Sequence, residues 1–244
     1  GNVWYRFTTP RRGVVYLDTA GSSYDTSIFL TDSVGTTVAG SCNDDTGCTT
    51  GGFTSGLQSR MALVLAGGTY YVAVGGCGTG SFTLHLQFVG DNAGTRFFDT
   101  AISGSAATGY VIFGGGASVT TSTCGGSGSE DTRWFMTCGG LPQTASTCRS
   151  DSGYWTRSIS GTTFDPSAYF YSAQTGTNVA CNDDGASMGA TDCRGTIEFF
   201  GPLDAAQYGS RVHAVVVPRG IGTLVLDNRN ANVGMWYLMQ YQLQ

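Results

Sequence analysis

Short runs of alternating hydrophobic and polar residues recur along the chain, and no segment repeats apolar residues with the ~3.6-residue period of a helix. The clearest run is FTLHLQF at residues 82–88, which alternates throughout. One face would carry Phe82, Leu84, Leu86 and Phe88, and the other Thr83, His85 and Gln87. Similar runs are RMALVLA, TYYVAVGG, RVHAVVV and GTLVLDN, separated by glycine and Asn/Asp turns. This pattern predicts an all-β protein with half-buried strands.

The same series of runs occurs twice, in the same order. GVVYLDTAGSSYDTSIFL at residues 13–30 aligns with GYWTRSISGTTFDPSAYF at 153–170. The string CNDD at residues 42–45 returns at 181–184. A duplication of one all-β unit explains both matches, and short antiparallel strands over ~100 residues favour a sandwich.

We therefore predict two tandem antiparallel β-sandwich domains of jelly-roll-like form, stapled by disulfides, at residues 1–90 and 91–244. The second copy has a lead-in, residues 91–133, before Trp134, whereas the first copy begins shortly before the aligned Trp4. The first copy is thus expected to lack an N-terminal segment. A sandwich without that segment would have an open edge, and an open edge pairs readily with another strand.

The composition limits the cellular compartments and the binding partners that we expect for this protein. The chain has no lysine, and its net charge is −5 with arginines scattered along the sequence, which argues against nucleic acid as a partner. No apolar stretch approaches the ~18–20 residues of a membrane span. Charged residues make up only 12%, and the eight cysteines include no C-x-x-C pair, so disulfides are favoured over metal ligation. An extracellular or cell-surface location follows as an expectation.

All eight cysteines are predicted to serve as disulfide partners. The expected bonds are Cys42–Cys48, Cys181–Cys193, Cys138–Cys148 and Cys77–Cys124, with a free Cys77 available for an intermolecular bond as the alternative to the last pair.

The ordered segments VWYRFTTP, GVVYLDTAGSSYDTSIFL, CNDD, AGGTYYVAVGG and GSFTLHLQ resemble the bacterial pre-peptidase C-terminal domain. The resemblance covers residues 3–88 and, more loosely, 91–244. It implies a small jelly-roll-like sandwich found on secreted proteins. Members of that family are non-catalytic, sometimes bind calcium, and in some cases bind matrix or polysaccharide.

A calcium site is one interpretation of the acidic loop. Asp25, Asn43, Asp44 and Asp45 could supply oxygen ligands, of which Ca²⁺ takes six to eight. The alternative is a structural turn, in which Asn and Asp side chains bond to their own backbone. Asp25 has its own structural alternative, as a buried carboxylate that accepts backbone hydrogen bonds. No cofactor is expected, apart from the calcium ion of the first interpretation.

Catalytic signals are weak, and we predict that the protein is not an enzyme. The two histidines, His85 and His213, fall in predicted strands, and a triad would need a serine and a carboxylate to converge on one of them. Without lysine, Schiff-base chemistry is impossible. Four tryptophans could line a sugar site, namely Trp4, Trp134, Trp155 and Trp236. For Trp4 and Trp134, equivalent positions in the two copies favour core packing instead.

The function expected from these features is structural. The protein would be a subunit of an extracellular filament, appendage or matrix, a homopolymer assembled head-to-tail by edge-strand complementation. The contact strand would be Val3–Thr9, in particular Val3, Trp4, Tyr5, Arg6 and Phe7, or the segment 107–121. The alternative is a secreted polysaccharide- or matrix-binding module that is accessory to another protein. Gly1 is either a processed terminus or the start of an excerpt from a longer array.

Overall fold

The computed structural model describes residues 1–91, 101–103, 105–112, 130–146, 157–158, 166–172, 175–182, 211–228 and 235–243. These residues form strands, turns and bends, and they include no helix. The prediction of an all-β, antiparallel protein is therefore confirmed. Within the same ranges there is no long apolar helix of the kind that crosses a bilayer.

Sixteen strands are seen in the described ranges. The first seven are β1 Val3–Thr9, β2 Gly13–Asp18, β3 Asp25–Asp32, β4 Thr37–Asn43, β5 Arg60–Leu65, β6 Gly68–Cys77 and β7 His85–Gly90. The remaining strands are β8 Ser105–Ile112, β9 Glu130–Thr137, β10 Pro142–Ser146, β11 Arg157–Ser158, β12 Pro166–Ser172, β13 Thr177–Asn182, β14 Arg211–Val216, β15 Gly220–Asn228 and β16 Met235–Gln242.

The chain forms two compact units. The first contains Gly1–Phe98 and also recruits two short segments from far along the chain, Met136–Gly140 and Pro218–Ile221. The second contains the remaining residues. The predicted division at residue 90 stays a prediction. Nothing in the sequence of the two recruited segments marks them as belonging to the first unit.

Two antiparallel sheets make up the first unit. Their strand orders are β1-β6-β3-β4 and β5-β2-β7. One hydrophobic core takes buried side chains from both sheets: Val15, Leu17, Ile28, Leu30, Met61, Leu65, Val72 and Val74. These residues occupy alternate positions along their strands, so the period-two pattern places one face of each sheet against the core. Burial of this apolar surface is the main force that holds the two sheets together.

The second unit also contains two sheets among its described strands. One has the order β13-β12-β15-β9, and the other has β11-β16-β10-β14 with β8 beside β16. Phe135 and Phe170 meet edge-to-face in its core, with ring centroids 5.8 Å apart. Trp134 is buried, so the prediction of core packing is confirmed for this tryptophan. Trp155 and the side chain of Trp236 lie outside the described residues.

Candidate functional site

Strand β1 lies at an edge of the four-stranded sheet. Among the described strands it pairs only with β6, from Val3 opposite Val74 to Thr9 opposite Gly68, with no register shift. Aromatic and β-branched residues fill the segment VWYRFTT, and such residues favour an extended, pleated backbone. The strand ends at Thr9, and the Pro10 that follows has no backbone N–H to continue the pairing. β1 is therefore a long and regular edge.

This edge strand exposes large apolar side chains on both of its faces. Val3 is 45% exposed, Trp4 50% and Tyr5 44%. Val3 and Tyr5 lie opposite the core residues Val74 and Val72, so they belong to the inward row of the sheet and are nevertheless half uncovered. Trp4 points the other way, and the prediction that it packs in the core is wrong. The sheet ends at β1, and no described strand lies beyond it to cover this row.

The outward face beside Trp4 carries a second aromatic ring. The Trp4 ring meets the Phe29 ring edge-to-face, with centroids 5.2 Å apart. Both residues lie opposite Ala73 of β6, one from each side. The contact fixes the orientation of the indole while leaving half of its surface open to solvent.

Strand β7 extends the exposed region onto the other sheet. Leu86 lies opposite the core residue Leu17, which places it on the inward face as the alternating pattern predicted, but it is 45% exposed. Phe82, just before β7, contacts the Tyr5 ring with centroids 6.2 Å apart. The inward rows of β1 and β7 thus form one incompletely covered side of the first unit.

The opposite edge of the four-stranded sheet is irregular. The pairing of β3 with β4 shifts register between Phe29 and Thr31. Within this bulge, Ser41 Oγ accepts a hydrogen bond from the Leu30 N–H (3.2 Å) and donates one to the Leu30 carbonyl (3.0 Å). Gly40 adopts a left-handed conformation with φ of 71°. Bulges of this kind twist an edge away from regular pairing, so β4 is protected where β1 is not.

A buried ionic cluster lies at the end of β2. The Asp18 side chain is only 1% exposed, and Arg219 Nε lies 3.1 Å from its Oδ2. His85 Nδ1 lies 3.4 Å from Oδ1, and the Ala20 N–H donates to the same oxygen at 2.9 Å. A buried carboxylate must be paired or hydrogen-bonded to remain charged, and Arg219 supplies the opposite charge.

Arg219 also holds the loop that follows β4. Its Nη1 donates a hydrogen bond to the Gly51 carbonyl at 2.7 Å. The guanidinium lies over the Phe53 ring, 5.9 Å from its centroid. Its Nη2 lies 3.5 Å from His85 Nδ1. One arginine thus connects β2, β7 and the loop around Gly51. The planar guanidinium can do this because it has several N–H donors.

Tyr16 and Arg60 lie beside this cluster. Asp18 is opposite Arg60 on β5, and Tyr16 is on the same face of β2 as Asp18. Burial, and after it the negative charge of Asp18, raises the pKa of Tyr16 far above its usual range. Burial lowers the pKa of Arg60. Tyr16 therefore stays neutral in the folded protein and adds no second negative charge beside the carboxylate.

The cluster does not form a catalytic triad within the part of the chain that the structure describes. His85 faces a carboxylate, but its Nδ1 also faces Arg219, and no hydrogen bond joins its ring to a serine hydroxyl there. The side chain of His213, in β14, lies outside the described residues. Asp18, Tyr16 and Arg219 were not singled out from the sequence, because a buried aspartate is recognisable only once its distant partner is known.

The structure does not bring the three aspartates among the four predicted calcium ligands into one group. Asn43 Oδ1 accepts a hydrogen bond from the Arg60 N–H at 2.7 Å, and its Nδ2 donates to the Asp45 carbonyl at 3.2 Å. The chain ranges seen here contain no group of three or more His, Cys, Asp or Glu side chains that could hold a metal ion, and Asp25, Asp44 and Asp45 all lie in them. The structural turn, which was the alternative interpretation, fits Asn43.

One carboxylate oxygen of Asp25 does not accept the backbone hydrogen bonds expected of this residue. Its Oδ1 is buried but has no hydrogen-bond partner. Asp32 instead organises a turn, because its Oδ1 accepts hydrogen bonds from the N–H groups of Val34 (3.0 Å) and Thr36 (2.8 Å). The expectation for Asp25 was wrong at this oxygen, because strand pairing with β6 already satisfies the neighbouring backbone.

The structure pairs Cys48 with Cys138, with Cα atoms 5.7 Å apart. The predicted bonds Cys42–Cys48 and Cys138–Cys148 are therefore wrong. Cys42 and Cys77 are free and exposed, so the Cys77–Cys124 bond is also wrong and the alternative of a free Cys77 is confirmed.

The predicted disulfides joined cysteines that are near each other in sequence. In the structure, the recruited segment Met136–Gly140 instead places Cys138 beside the loop that carries Cys48. Thr50 Oγ1 donates to the Gly139 carbonyl at 2.6 Å within this contact. Cys181 is disulfide-bonded. Its predicted partner Cys193 lies outside the described residues, as do Cys124 and Cys148, so the Cys181–Cys193 bond stays a prediction.

No family model matches the chain, and no curated protein matches it either. The resemblance to the pre-peptidase C-terminal domain stays a prediction.

Proposed function

We propose that this protein is an extracellular structural protein, a subunit of a surface filament, appendage or matrix. Its two tandem jelly-roll-like β-sandwiches would assemble through edge-strand pairing between copies of the chain. The observation that carries the proposal is β1, a regular edge strand that exposes Val3, Trp4 and Tyr5 in succession.

An edge of this kind is a template for another strand. It presents a row of backbone N–H and C=O groups that a neighbouring chain can pair with. Proteins that stay monomeric usually protect such edges with charges, proline or bulges. β1 has no proline, no register shift and a single charged residue, Arg6. Pairing with another copy would give the free backbone N–H and C=O groups hydrogen-bond partners and would also cover the exposed rings.

The first unit builds its core from its own strands, although the inward rows of β1 and β7 stay partly uncovered. Side chains from both sheets, including β2, β3, β5 and β6, form one hydrophobic cluster. Association would therefore add a strand to an existing edge rather than fill a gap left by a missing strand. This modifies the form of complementation predicted from the short N-terminus of the first copy.

A disulfide supports the proposed location. The Cys48–Cys138 bond joins residues separated by 90 positions, and such bonds persist mainly in oxidising compartments. Two exposed free thiols, Cys42 and Cys77, remain available for bonds between chains once neighbouring copies meet.

The test is the size of the native protein with and without a charge on β1. We expect the wild-type chain, without reducing agent, to form oligomers in light scattering and regular particles or filaments in negative-stain electron microscopy. Tyr5→Lys should abolish them, because an exposed lysine on an edge strand opposes pairing. Val34→Lys is the matched control, since Val34 is 83% exposed but lies in the hairpin turn after β3. A wild-type chain that stays monomeric at every concentration would refute the proposal.

A second candidate function is polysaccharide binding. It is favoured by the outward Trp4 ring, which is half exposed and held in place by Phe29. Affinity electrophoresis through gels that contain soluble polysaccharides would test it. Retardation of the wild-type chain, lost in Trp4→Ala, would support binding, and equal mobility of the two proteins in every gel would contradict it.

A further inference from the structure

We infer that β1 pairs with β1 of a second copy, antiparallel, about a two-fold axis that passes through Tyr5. This inference rests on the proposed function, because it names the partner of the same edge strand. It replaces the head-to-tail arrangement expected from the sequence with a closed pair of identical strands.

The other edge of the same sheet is a poor partner for β1. A head-to-tail sheet would place β1 against β4 of the next copy. β4 departs from regular pairing between Phe29 and Thr31, and Gly40 within it is left-handed. A bulged strand cannot offer evenly spaced hydrogen-bonding groups to a regular partner. β1 itself, regular over Val3–Thr9, can offer them.

The side chains of β1 complement one another about Tyr5. In an antiparallel pair centred there, Trp4 lies opposite Arg6 of the second copy, and Val3 lies opposite Phe7 of the second copy. Residues directly opposite have Cβ atoms about 4.5–5.5 Å apart, which lets an arginine reach a neighbouring ring. Each two-fold pair would thus contain two contacts between a guanidinium and an indole, of the cation–π type.

Antiparallel β1–β1 registers centred on a residue next to Tyr5 are less favourable than the register centred on Tyr5. A centre at Arg6 would place two arginines directly opposite each other, and like charges in that position destabilise a sheet. A centre at Trp4 would move Arg6 opposite Asn2 and remove both contacts between arginine and tryptophan. Half-steps between these centres would put inward residues opposite outward ones, which the pleat forbids. Tyr5 is therefore the favoured centre.

The exposed inward row supports the same arrangement. Val3 and Tyr5 are inward residues left half uncovered at the edge, and Phe7 stacks on Tyr70 with ring centroids 5.8 Å apart. A second β1 would extend this row with its own Val3, Tyr5 and Phe7 and cover the first. Because a two-fold contact closes on itself, growth of a filament would need a different surface for the next contact.

Cysteine cross-linking tests the register. All variants carry Cys42→Ser and Cys77→Ser, which remove the exposed free thiols. Opposite residues in an antiparallel pair have Cα atoms about 4.5–5.5 Å apart, within the range that a disulfide bridges. Tyr5→Cys should give a covalent dimer on mild oxidation. A mixture of Trp4→Cys chains and Arg6→Cys chains should give about tenfold more covalent dimer than either variant gives alone. Residue 4 of one chain faces residue 6 of the other in this register. The mixed pair also keeps one of the two Trp4–Arg6 contacts.

The outcomes separate the register from the proposed function. Oligomers that form without a Tyr5→Cys cross-link, or Trp4→Cys chains that cross-link to each other, would overturn the two-fold register and leave self-association standing. A wild-type chain that is monomeric would overturn both. Hydrogen exchange of the unaltered protein gives a check without substitutions. Amides in Val3–Thr9 should gain protection as the protein concentration rises, and protection that does not change would count against the pairing.

Discussion

Replacing Arg219 with methionine should destabilise the first unit strongly. Methionine keeps much of the side-chain length but removes the charge that lies 3.1 Å from the Asp18 carboxylate. It also removes the donor to the Gly51 carbonyl. Asp18, whose side chain is 1% exposed, would then lose the guanidinium that contacts it and keep His85, the Ala20 N–H and the charge of Arg60 on the neighbouring strand.

The expected loss in the free energy of unfolding follows from the buried Asp18 charge that the substitution leaves behind. Removing one partner of a buried ion pair costs about 3–5 kcal/mol, because the other charge stays desolvated. A hydrogen bond from a charged donor contributes about 1.5–3 kcal/mol on its own, although the two losses do not simply add. We therefore expect Arg219→Met to lower the free energy of unfolding by about 3–5 kcal/mol. That is a large share of the ~5–15 kcal/mol typical of a folded domain.

Urea unfolding with the disulfides intact measures this loss, and a double-mutant cycle assigns it. Asp18→Asn keeps the shape of the side chain and removes its charge. The double variant Asp18→Asn with Arg219→Met should be more stable than Arg219→Met alone, because it contains no uncompensated carboxylate. A loss below about 1 kcal/mol for Arg219→Met, or a coupling energy near zero, would contradict the assignment of Arg219 as the counter-ion.

Two further predictions concern Tyr16 and the disulfide. The raised pKa of Tyr16 means that the folded state keeps this proton at high pH while the unfolded state loses it near pH ~10, so stability should fall as the pH rises above about 10. Tyr16→Phe should flatten that fall in urea titrations between pH 8 and 11, and an identical slope in both proteins would contradict it. Cys48→Ser opens a bond between residues 90 positions apart and should cost about 4–5 kcal/mol by loop closure, whereas Cys42→Ser should change the unfolding midpoint little.

The strands were predictable because their signal is local. RMALVLA and TYYVAVGG became β5 and β6, since alternation and β-branched residues act within a few positions of one another. The segment VWYRFTT was also predicted to be a strand, and it forms β1. Its exposure was not predictable from apolar residues alone, because the same pattern describes a covered strand. Leu86 shows this directly, since it has the predicted face and yet remains 45% exposed on an edge strand.

The ionic cluster and the disulfide could not be predicted because their partners are distant in sequence. Arg219 lies 134 positions from His85, and no local pattern links the two. Cys48 bonds to a cysteine in another part of the chain although Cys42 is much nearer in sequence. Nearness in sequence lowers the entropy cost of closing a loop, but the packed fold decides which sulfur atoms meet.

The recruitment of Pro218–Ile221 into the first unit sets an order of events during synthesis. A chain grows at about 5–20 residues per second, so Arg219 is made about 7–27 seconds after His85, from which it is separated by 134 positions. Until then the Asp18 carboxylate lacks its contact with the Arg219 guanidinium. Cys48 likewise waits for Cys138 while the thiol of Cys42 is already present. A cell that makes this protein under oxidising conditions therefore benefits from a catalyst of disulfide exchange, which can undo an early bond between the two nearer cysteines.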